Sequence, residues 1–349
     1  MISNSHLPGL PGLPGLPGLP RTRRAWLAAS PAILLGLAAL AANASAQQPD
    51  AFPSRPVRVI TPFPAGGSTD NFLRPLAIRV AKILGQPVVI EPRPGGNTII
   101  ATSAVAKSPA DGYTLLIAVN TLLTNSALYR KLPYNTATDL VPVTYLGEDG
   151  FAVAVTGTLP VTNLAGFIAL ARTKPGGLTY GTSTVGGTTH LGPVLLEQMA
   201  GIKLTQVSYK GGPTLLNDLG SGVIDMTFDG YTGMAPLLPT GRVKVIAQTG
   251  PRRSPSMPDI PLASETPGME KFSVKFHVGL YAPAGTPIAV LRKLNLAFRE
   301  AVDEEVKAKS LAYNLQSLNL NVEESARYFQ TELKFWSDAV RHSGISIEE

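Results

Sequence analysis

The stretch VRVITPFPAGGSTD at residues 57–70 is typical of a strand, a loop and the start of a helix. The β-branched run at its beginning predicts the strand, and the prolines and glycines after it predict the loop. Ser68 is a good helix N-cap, and Asp70 places a negative charge in the first turn, where it complements the helix dipole. Apolar residues then recur at helical spacing up to Leu84, and we expect Pro75 to kink this helix near its start.

The same alternation of strand and helix runs through the rest of the chain. Repeated alternation indicates an α/β fold with mainly parallel sheets. About 300 residues are more than one such sheet usually needs, so we expect two lobes. The predicted strands lie at 57–60, 88–90, 113–119, 141–145, 152–155, 178–180, 204–208, 224–228, 243–247 and 277–281, and the predicted helices at 68–84, 98–107, 164–173, 191–200, 215–221, 288–302 and 323–342.

The first 46 residues are predicted to be an export signal with an extension in front of it. A Leu-Pro-Gly repeat at 7–20 precedes a basic segment at 21–24 and an uncharged run rich in Ala and Leu. Ala-Ser-Ala at 44–46 then offers a small-x-small cleavage site, so the mature chain would begin at Gln47. We expect export by the general or the twin-arginine route, and a mature protein that acts in the periplasm without a membrane anchor.

The composition excludes several classes of site. The chain has 349 residues and no cysteine, which excludes disulfides, thiolate metal sites and cysteine nucleophiles. With only four histidines, we expect no His-rich metal cluster. The formal charge is +6, and the arginines of the leader supply three of these charges. The mature chain keeps no basic run interleaved with aromatic residues, so we expect no nucleic-acid partner. We also expect no metal and no cofactor.

Four predicted loops between a strand and a helix carry polar residues that could hold a ligand. They are rich in Gly, Ser and Thr, so backbone N–H groups and hydroxyls can approach a small anion at the positive end of the following helix. Ligands of open parallel sheets bind beyond the carboxyl ends of the strands, so such loops on two lobes would face each other across a cleft. The four loops are Pro62–Asp70, Gly181–His190, Ser208–Pro213 and Phe228–Tyr231.

The same loops lack a catalytic motif in the sequence. None of them has the Gly-Lys-Ser/Thr of a phosphate-binding loop or the G-x-G-x-x-G of a dinucleotide fold. Ser183 does not fit the G-x-S-x-G nucleophile pattern because position 185 is Val, and a lone histidine such as His190 is more often a packing or capping residue. Lys210 is typical of a solvated lysine, while Asp229 could accept a hydrogen bond from a ligand or cap the next helix. We therefore expect a binding protein and not an enzyme.

A series of short stretches along the mature chain carries a family resemblance. They are Pro62–Asp70, Arg93–Gly96, Asp111–Leu116, Leu132–Asn135, Lys174–Gly181, His190–Leu191, Val207–Gly212 and Tyr281–Pro287. In this order the chain resembles the tripartite tricarboxylate transporter receptors, also called the Bug solute-binding proteins, from Phe52 to about residue 347. It departs from them at Pro92, where Asn is usual, at His277, where Trp is frequent, and at Gly230, where Asn usually follows the aspartate.

The resemblance implies a two-lobed periplasmic-binding-protein fold of the Venus-flytrap type, type II. Lobe 1 would comprise residues 52–149 and 276–349, and lobe 2 would comprise residues 150–275. The chain would cross between them near 148–151 and 276–279. The implied function is to capture a small organic acid, such as a di- or tricarboxylate, and to deliver it to a membrane permease with one large and one small subunit. We expect the receptor itself to be a monomer.

The resemblance also implies how the acid is held. Loop backbone groups, hydroxyls and waters would bind a ligand carboxylate, in place of an arginine clamp, and Asp229 would lie near the far end of the ligand. The implied residues of the first lobe are Ala65, Gly66, Gly67, Ser68 and Asp70, with Asn120 and Thr121 after the third strand. Those of the second lobe are Thr182, Ser183, Gly187, Thr188, Lys210 and Asp229.

Two other functions remain open at this point. A sensor would use the same fold and cleft but would pass the closed state to a membrane kinase, and the sequence does not separate this function from transport. An exported hydrolase would need Ser183 and His190 as its catalytic core. Turnover of an ester or amide that is lost in Ser183→Ala would identify it.

Overall fold

A computed structural model describes residues 52–65, 68–183, 186–209, 211–302 and 315–347. The predicted leader lies outside these ranges. Strands and helices alternate along the described residues, as the sequence predicts. No helix in these ranges is both long and apolar enough to cross a membrane.

Ten strands and nine helices are used below, numbered in chain order. They are β1 Val57–Thr61, α1 Ser68–Leu84, β2 Val88–Pro92, α2 Ile99–Ala106, β3 Thr114–Val119, α3 Thr121–Leu128, β4 Leu140–Gly150, β5 Ala152–Thr156, α4 Leu164–Thr173, β6 Thr179–Thr182, α5 Thr188–Ala200, β7 Thr205–Ser208, α6 Gly212–Ser221, β8 Met226–Asp229, α7 Tyr231–Met234, β9 Val243–Gln248, β10 Lys275–Pro283, α8 Ile288–Ala301 and α9 Val322–Ser343.

The strands form two sheets with the same topology. The first sheet has the order β2-β1-β3-β10-β4 and the second has the order β7-β6-β8-β5-β9. Within each sheet four strands point the same way, and one strand, β10 or β5, is antiparallel to both of its neighbours. Each antiparallel strand is the one that the chain enters from the other sheet, because β5 follows β4 and β10 follows β9. The predicted two-lobed α/β fold with mainly parallel sheets is confirmed, while the lobe boundaries stay a prediction.

Several elements differ from the predicted ones. The structure contains α3, which the periodicity did not predict because its sequence TLLTNSAL includes several weak helix formers. Its leucines Leu122, Leu123 and Leu128 are fully buried, so tertiary packing stabilises this helix. The helices α5 and α6 each begin three residues earlier than predicted. The helix α1 includes Pro75 and runs on to Leu84.

The last of these helices, α9, packs on the first sheet. It begins with a capping box, in which the Asn321 side chain accepts from the Glu324 N–H and the Glu324 carboxylate accepts from the Asn321 N–H. Phe329 and Trp336 are buried from its apolar stripe. They belong to a core cluster that also contains Val153 of the second sheet. This long terminal helix is predicted correctly, and it joins the cores of the two sheets.

The segments of the chain that pass between the two sheets pack tightly against each other. Phe151 alone separates β4 from β5, and its N–H donates to the Thr249 hydroxyl at 2.9 Å. The Phe151 carbonyl accepts from the Thr249 N–H at 2.9 Å, and the Thr249 hydroxyl donates to the carbonyl of Val274. A Cβ added to Gly150 would lie 2.1 Å from the nitrogen of Gly250. These three segments, 150–151, 249–250 and 274, are called the crossing below.

Gly150→Ala tests the tight contact at the crossing. The added methyl overlaps backbone atoms that cannot rotate away, so we expect the free energy of unfolding to fall by about 3 kcal/mol. Gly233→Ala is the matched control, because a Cβ there lies 3.5 Å from the Leu216 side chain, an ordinary contact. Urea denaturation of both variants measures the difference. Equal stability of the two variants would show that the crossing is looser than described.

Candidate functional site

The first predicted loop lies at the carboxyl edge of the first sheet. Asp70, in the first turn of α1, is 3% exposed and accepts a hydrogen bond from Arg74 Nε at 2.7 Å. Ala65 is exposed just before the helix. Because the Asp70 carboxylate is paired with Arg74, the first backbone N–H groups of α1 stay available as donors for a ligand. The residues Gly66, Gly67 and Lys210 and the side chain of Ser68 lie outside the description of the structure.

The turn after β2 has an unusual backbone that the sequence does not predict. Gly95, Gly96, Asn97 and Thr98 have φ angles of 118°, 54°, 47° and 74° in succession. A left-handed conformation is strained for Asn and more so for the β-branched Thr. Asn125 of α3 holds the turn, because its Nδ2 donates to the Asn97 carbonyl at 2.7 Å and its Oδ1 accepts from Asn97 Nδ2 at 2.9 Å. Since β1 and β2 are parallel neighbours, this turn lies beside the first predicted loop.

Asn120 and Thr121 follow β3 at the same edge of the sheet. Asn120 is 1% exposed, and both the nitrogen and the oxygen of its side-chain amide bond to the backbone of β10. Its Nδ2 donates to the Lys275 carbonyl at 3.0 Å, and its Oδ1 accepts from the His277 N–H at 2.9 Å. The buried Thr121 hydroxyl has no hydrogen-bond partner among the described residues. Asn120 therefore has a structural role, and contact of either residue with a ligand stays a prediction.

His190 shapes the second predicted loop. It is buried, and its Nδ1 accepts from the Gly186 N–H at 2.9 Å. Burial lowers its pKa below the usual value, so the ring is neutral, with its proton on the other nitrogen. The ring stacks on Tyr180 with centroids 6.2 Å apart, and the hydroxyls of Thr182 and Thr189 lie 3.2 Å apart at the same turn. His190 is therefore a capping and packing residue, which is the role that the sequence favours.

The candidate residues nearest to His190 surround the start of α5. Gly187 directly precedes the helix with an extended backbone, and Thr188 is its first residue. Ser183 and Thr188 are half-buried. Among the described residues no hydrogen bond joins Ser183 to His190, whose Nδ1 is already engaged by Gly186. The described part of this loop thus shows no paired nucleophile and base at Ser183 and His190, and binding of an anion at the helix start stays a prediction.

The second loop and the helix after it contact helices that pack on the first sheet. Gly186 has a φ of 74°, and a Cβ added there would lie 2.5 Å from Leu128 Cδ1 at the end of α3. Farther along, Gln198 Nε2 of α5 donates to the His342 carbonyl of α9 at 2.9 Å. The structure thus brings the loop of the second sheet against the helix that begins at Thr121. Glycine is required at position 186 by both the backbone conformation and this contact.

Asp229 ends β8, next to the strand that leads into the second loop. It is half-buried, and its Oδ1 accepts from the Gly230 N–H at 2.7 Å. Its Oδ2 lies 3.9 Å from the position that a Cβ of Gly212 would take at the start of α6. Burial raises the pKa of Asp229 above its usual value, and the Gly230 hydrogen bond opposes this only in part. The described residues contain no group of three or more His, Asp or Glu that could hold a metal ion.

Comparisons with known proteins identify relatives of the whole described fold. The model of the tripartite tricarboxylate transporter family receptor, TctC, matches residues 72–345. Protein BugT of Bordetella pertussis is 30% identical over 319 residues, which are 90% of this chain and 97% of BugT. The structure of Rhodopseudomonas palustris Rpa4515 with adipate has a TM-score of 0.72, 32% identity, and coverage of 85% of this chain and 100% of that one. MatC from the same organism, with bound malate, has a TM-score of 0.69, 30% identity, and coverage of 83% and 100%.

His190→Phe tests the capping role of the histidine. The variant keeps the ring but leaves the buried Gly186 N–H without an acceptor, so we expect it to lose about 1–2 kcal/mol of stability near pH 8. The contribution of a base with a lowered folded pKa is fully present above the unfolded pKa of about 6.5 and is lost as pH falls below it. The difference in the free energy of unfolding between the variant and the wild-type protein should therefore be smaller at about pH 5.5 than near pH 8. Urea denaturation at both pH values measures it.

The control for this variant is His342→Phe at the exposed end of α9. It should have little effect on stability at either pH. A difference between His190→Phe and wild type that is the same at both pH values would contradict the neutral, accepting histidine.

Proposed function

Since the chain belongs to the tripartite tricarboxylate transporter receptor family, we propose that it captures a small carboxylate in the cleft between its two lobes and delivers it to a two-subunit membrane permease. The family is one of periplasmic receptors for solutes, and two similar structures hold adipate and malate. The ligand of this chain is accordingly a small organic acid of the same class. The receptor acts as an exported monomer, released from its leader after about Ala46.

The observation that supports this proposal is the packing of the second predicted loop against α3, the helix that follows β3 of the first sheet. The loop at 182–190 packs through Gly186 on α3 of the first sheet, whose first residue is Thr121. Two helix starts, those of α1 and α5, follow predicted ligand loops, one on each sheet. The first N–H groups of a helix have no partner within the helix and favour an anion. A carboxylate that reaches both helix starts gains contacts that are complete only when the lobes are closed.

Two acids near the proposed site, Asp70 and Asp229, indicate how the ligand is oriented. Asp70 is paired with Arg74, so the carboxylate of the ligand meets backbone donors and hydroxyls at Ser68 and Thr188. Asp229 faces the start of α6, and among the described residues only its Oδ1 accepts a hydrogen bond, so its carboxylate disfavours a second negative group placed against it. The far end of the ligand is therefore expected to offer a hydrogen-bond donor to Asp229.

A thermal-shift screen tests the receptor function. The purified protein is heated with small carboxylates, including adipate and malate, and with neutral sugars and amino acids. A ligand at one hundred times its Kd adds about 2.7 kcal/mol of apparent stability, so a specific acid should stand out from its neighbours. Stabilisation by neutral compounds alone, or by no compound, would contradict the proposed carboxylate cleft.

Two substitutions in the first loop test the proposed binding groups. Ser68→Ala removes one hydroxyl and should weaken binding of the acid by about 1 kcal/mol, roughly five-fold in Kd. Gly67→Val adds a branched side chain where the ligand must approach the backbone, and it should weaken binding more than Ser68→Ala does. Calorimetric titration gives both values, with Ser221→Ala at the exposed end of α6 as the control. Unchanged binding in Gly67→Val would place the ligand elsewhere.

Delivery to a permease has a genetic test. Deleting the gene should abolish uptake of the acid that the screen identifies, and the wild-type gene should restore uptake. Intact uptake together with lost induction of genes by the acid would instead identify a sensor. The two outcomes separate the proposal from the alternative function that uses the same cleft.

A further inference from the structure

A group of charges around two buried acids lies where β4 leaves the first sheet and β10 enters it, apart from the predicted ligand loops. Lys275 Nζ of β10 lies 3.2 Å from Glu148 Oε2 of β4 and 3.0 Å from Glu332 Oε1 of α9. Glu148 is 6% exposed and Glu332 is 4% exposed. Among the described residues no other lysine or arginine is paired with either acid. These three residues are called the charge cluster below.

Aromatic and neutral groups pack around the two buried acids of the charge cluster, while the Lys275 side chain keeps 20% of its surface exposed. The Tyr328 hydroxyl of α9 donates to Glu148 Oε2 at 2.7 Å, and Lys275 Nζ lies 4.5 Å from the centre of its ring. His277 is fully buried, with Nδ1 3.8 Å from Glu332 Oε2, and burial lowers its pKa to about 3. The ring of Tyr145 packs edge-on against His277. Because His277 is neutral, two acids depend on a single cation.

The strand geometry explains why these residues meet. His277 pairs with Glu148 across the antiparallel strands β10 and β4, so the two side chains lie on the same face. Lys275 is two residues from His277 and points to that face as well. Tyr328 and Glu332 are one turn apart on α9, and this helix covers the same face of the two strands. A buried carboxylate is strongly disfavoured without a compensating cation, so Lys275 ties β4, β10 and α9 to one another.

The backbone of the same lysine reaches the predicted site. Its carbonyl accepts from Asn120 Nδ2 at 3.0 Å, and the Asn120 Oδ1 accepts from the His277 N–H at 2.9 Å. The Asn120 carbonyl in turn accepts from Leu123 N at 2.8 Å in the first turn of α3. A continuous set of bonds therefore runs from the charge cluster to the helix start at the edge of the predicted cleft.

We propose that Lys275 is a positioning residue for ligand capture. Its ammonium group fixes the first residues of β10 between two buried acids, and its backbone thereby holds Asn120 and the start of α3 in place for the closed state. This inference rests on the proposed receptor function. It assigns to the strand crossing a role in affinity that does not require contact with the ligand.

The variant Lys275→Met keeps the length of the side chain and removes its charge. Near pH 8 it should weaken binding of adipate or malate, whichever stabilises the wild-type protein, by about ten-fold or more. The loss should shrink near pH 5, because protonation of a buried acid replaces the missing cation. A lysine that only fills space would give the same loss at both pH values. Lys82→Met on the exposed surface of α1 is the control and should bind normally.

A charge-balanced variant keeps the proposal testable if Lys275→Met fails to fold. The triple variant Glu148→Gln, Lys275→Met and Glu332→Gln has no buried charge left to compensate. It should fold, and it should recover affinity to within about three-fold of wild type near pH 8. A triple variant that folds and binds as weakly as Lys275→Met would overturn the proposed charge balance.

A distance measurement separates this inference from the receptor function. The chain has no cysteine, so Ile78→Cys on α1 and Val223→Cys after α6 can carry two spin labels at sites that are 61% and 64% exposed. Lys275→Met should broaden the distance distribution between the labels near pH 8 and restore it near pH 5. If no acid binds the wild-type protein, the receptor proposal fails, and this result still decides the role of Lys275. A distribution and an affinity equal to wild type at both pH values would overturn the inference.

Discussion

The rest of the structure depends on the close backbone contact at the crossing between the two sheets. A single residue, Phe151, separates a strand of the first sheet from a strand of the second, and both its N–H and its carbonyl bond to Thr249. A side chain on Gly150 would overlap the backbone of Gly250, so the two passages of the chain touch without side chains between them. Because these passages are bonded to each other, the sheets are joined through paired backbone.

The crossing sets the direction of the strands in each sheet, and so the edge at which their polar loops lie. Each strand that crosses enters the new sheet antiparallel, which leaves four strands of each sheet with their carboxyl ends at one edge. Backbone donors at the starts of α1 and α5 belong to those edges, and Gly186 packs against Leu128 at the end of α3, the helix that follows β3 of the first sheet. Buried opposite charges are concentrated elsewhere, around Lys275, where they fix strands and a helix. The helix starts at those edges offer neutral backbone donors, and the ammonium group of Lys275 pairs with acids that belong to the frame of the first sheet.

The sequence predicts those parts of this arrangement that depend on local pattern. The strand, loop and helix at 57–70, the long terminal helix and the capping role of His190 all follow from periodicity or from neighbouring residues, and the family resemblance is confirmed by the matched model. The left-handed turn at Thr98 could not be predicted, because a β-branched residue adopts it only when a distant side chain, Asn125, compensates for the strain. The partners of Lys275 come from strands and a helix far apart in sequence, and no local pattern indicates such a pairing.

Burial shifts the pKa values of several ionisable groups of the described chain, and the histidines are shifted towards the neutral form. Burial lowers the pKa of His190 and that of His277, so neither ring adds a positive charge near neutral pH. Near the crossing, burial raises the pKa of Asp149 from 3.8 to about 6, and the hydrogen bonds from Ser254 and Gln316 offset this only in part. A carboxyl with a raised folded pKa contributes stability that is fully present below the unfolded pKa and is lost as pH rises through the folded pKa. Asp149, beside the crossing where the two sheets are joined, therefore favours the fold at low pH, whereas the two neutral histidines, whose folded pKa values are lowered, favour it above about pH 6.5.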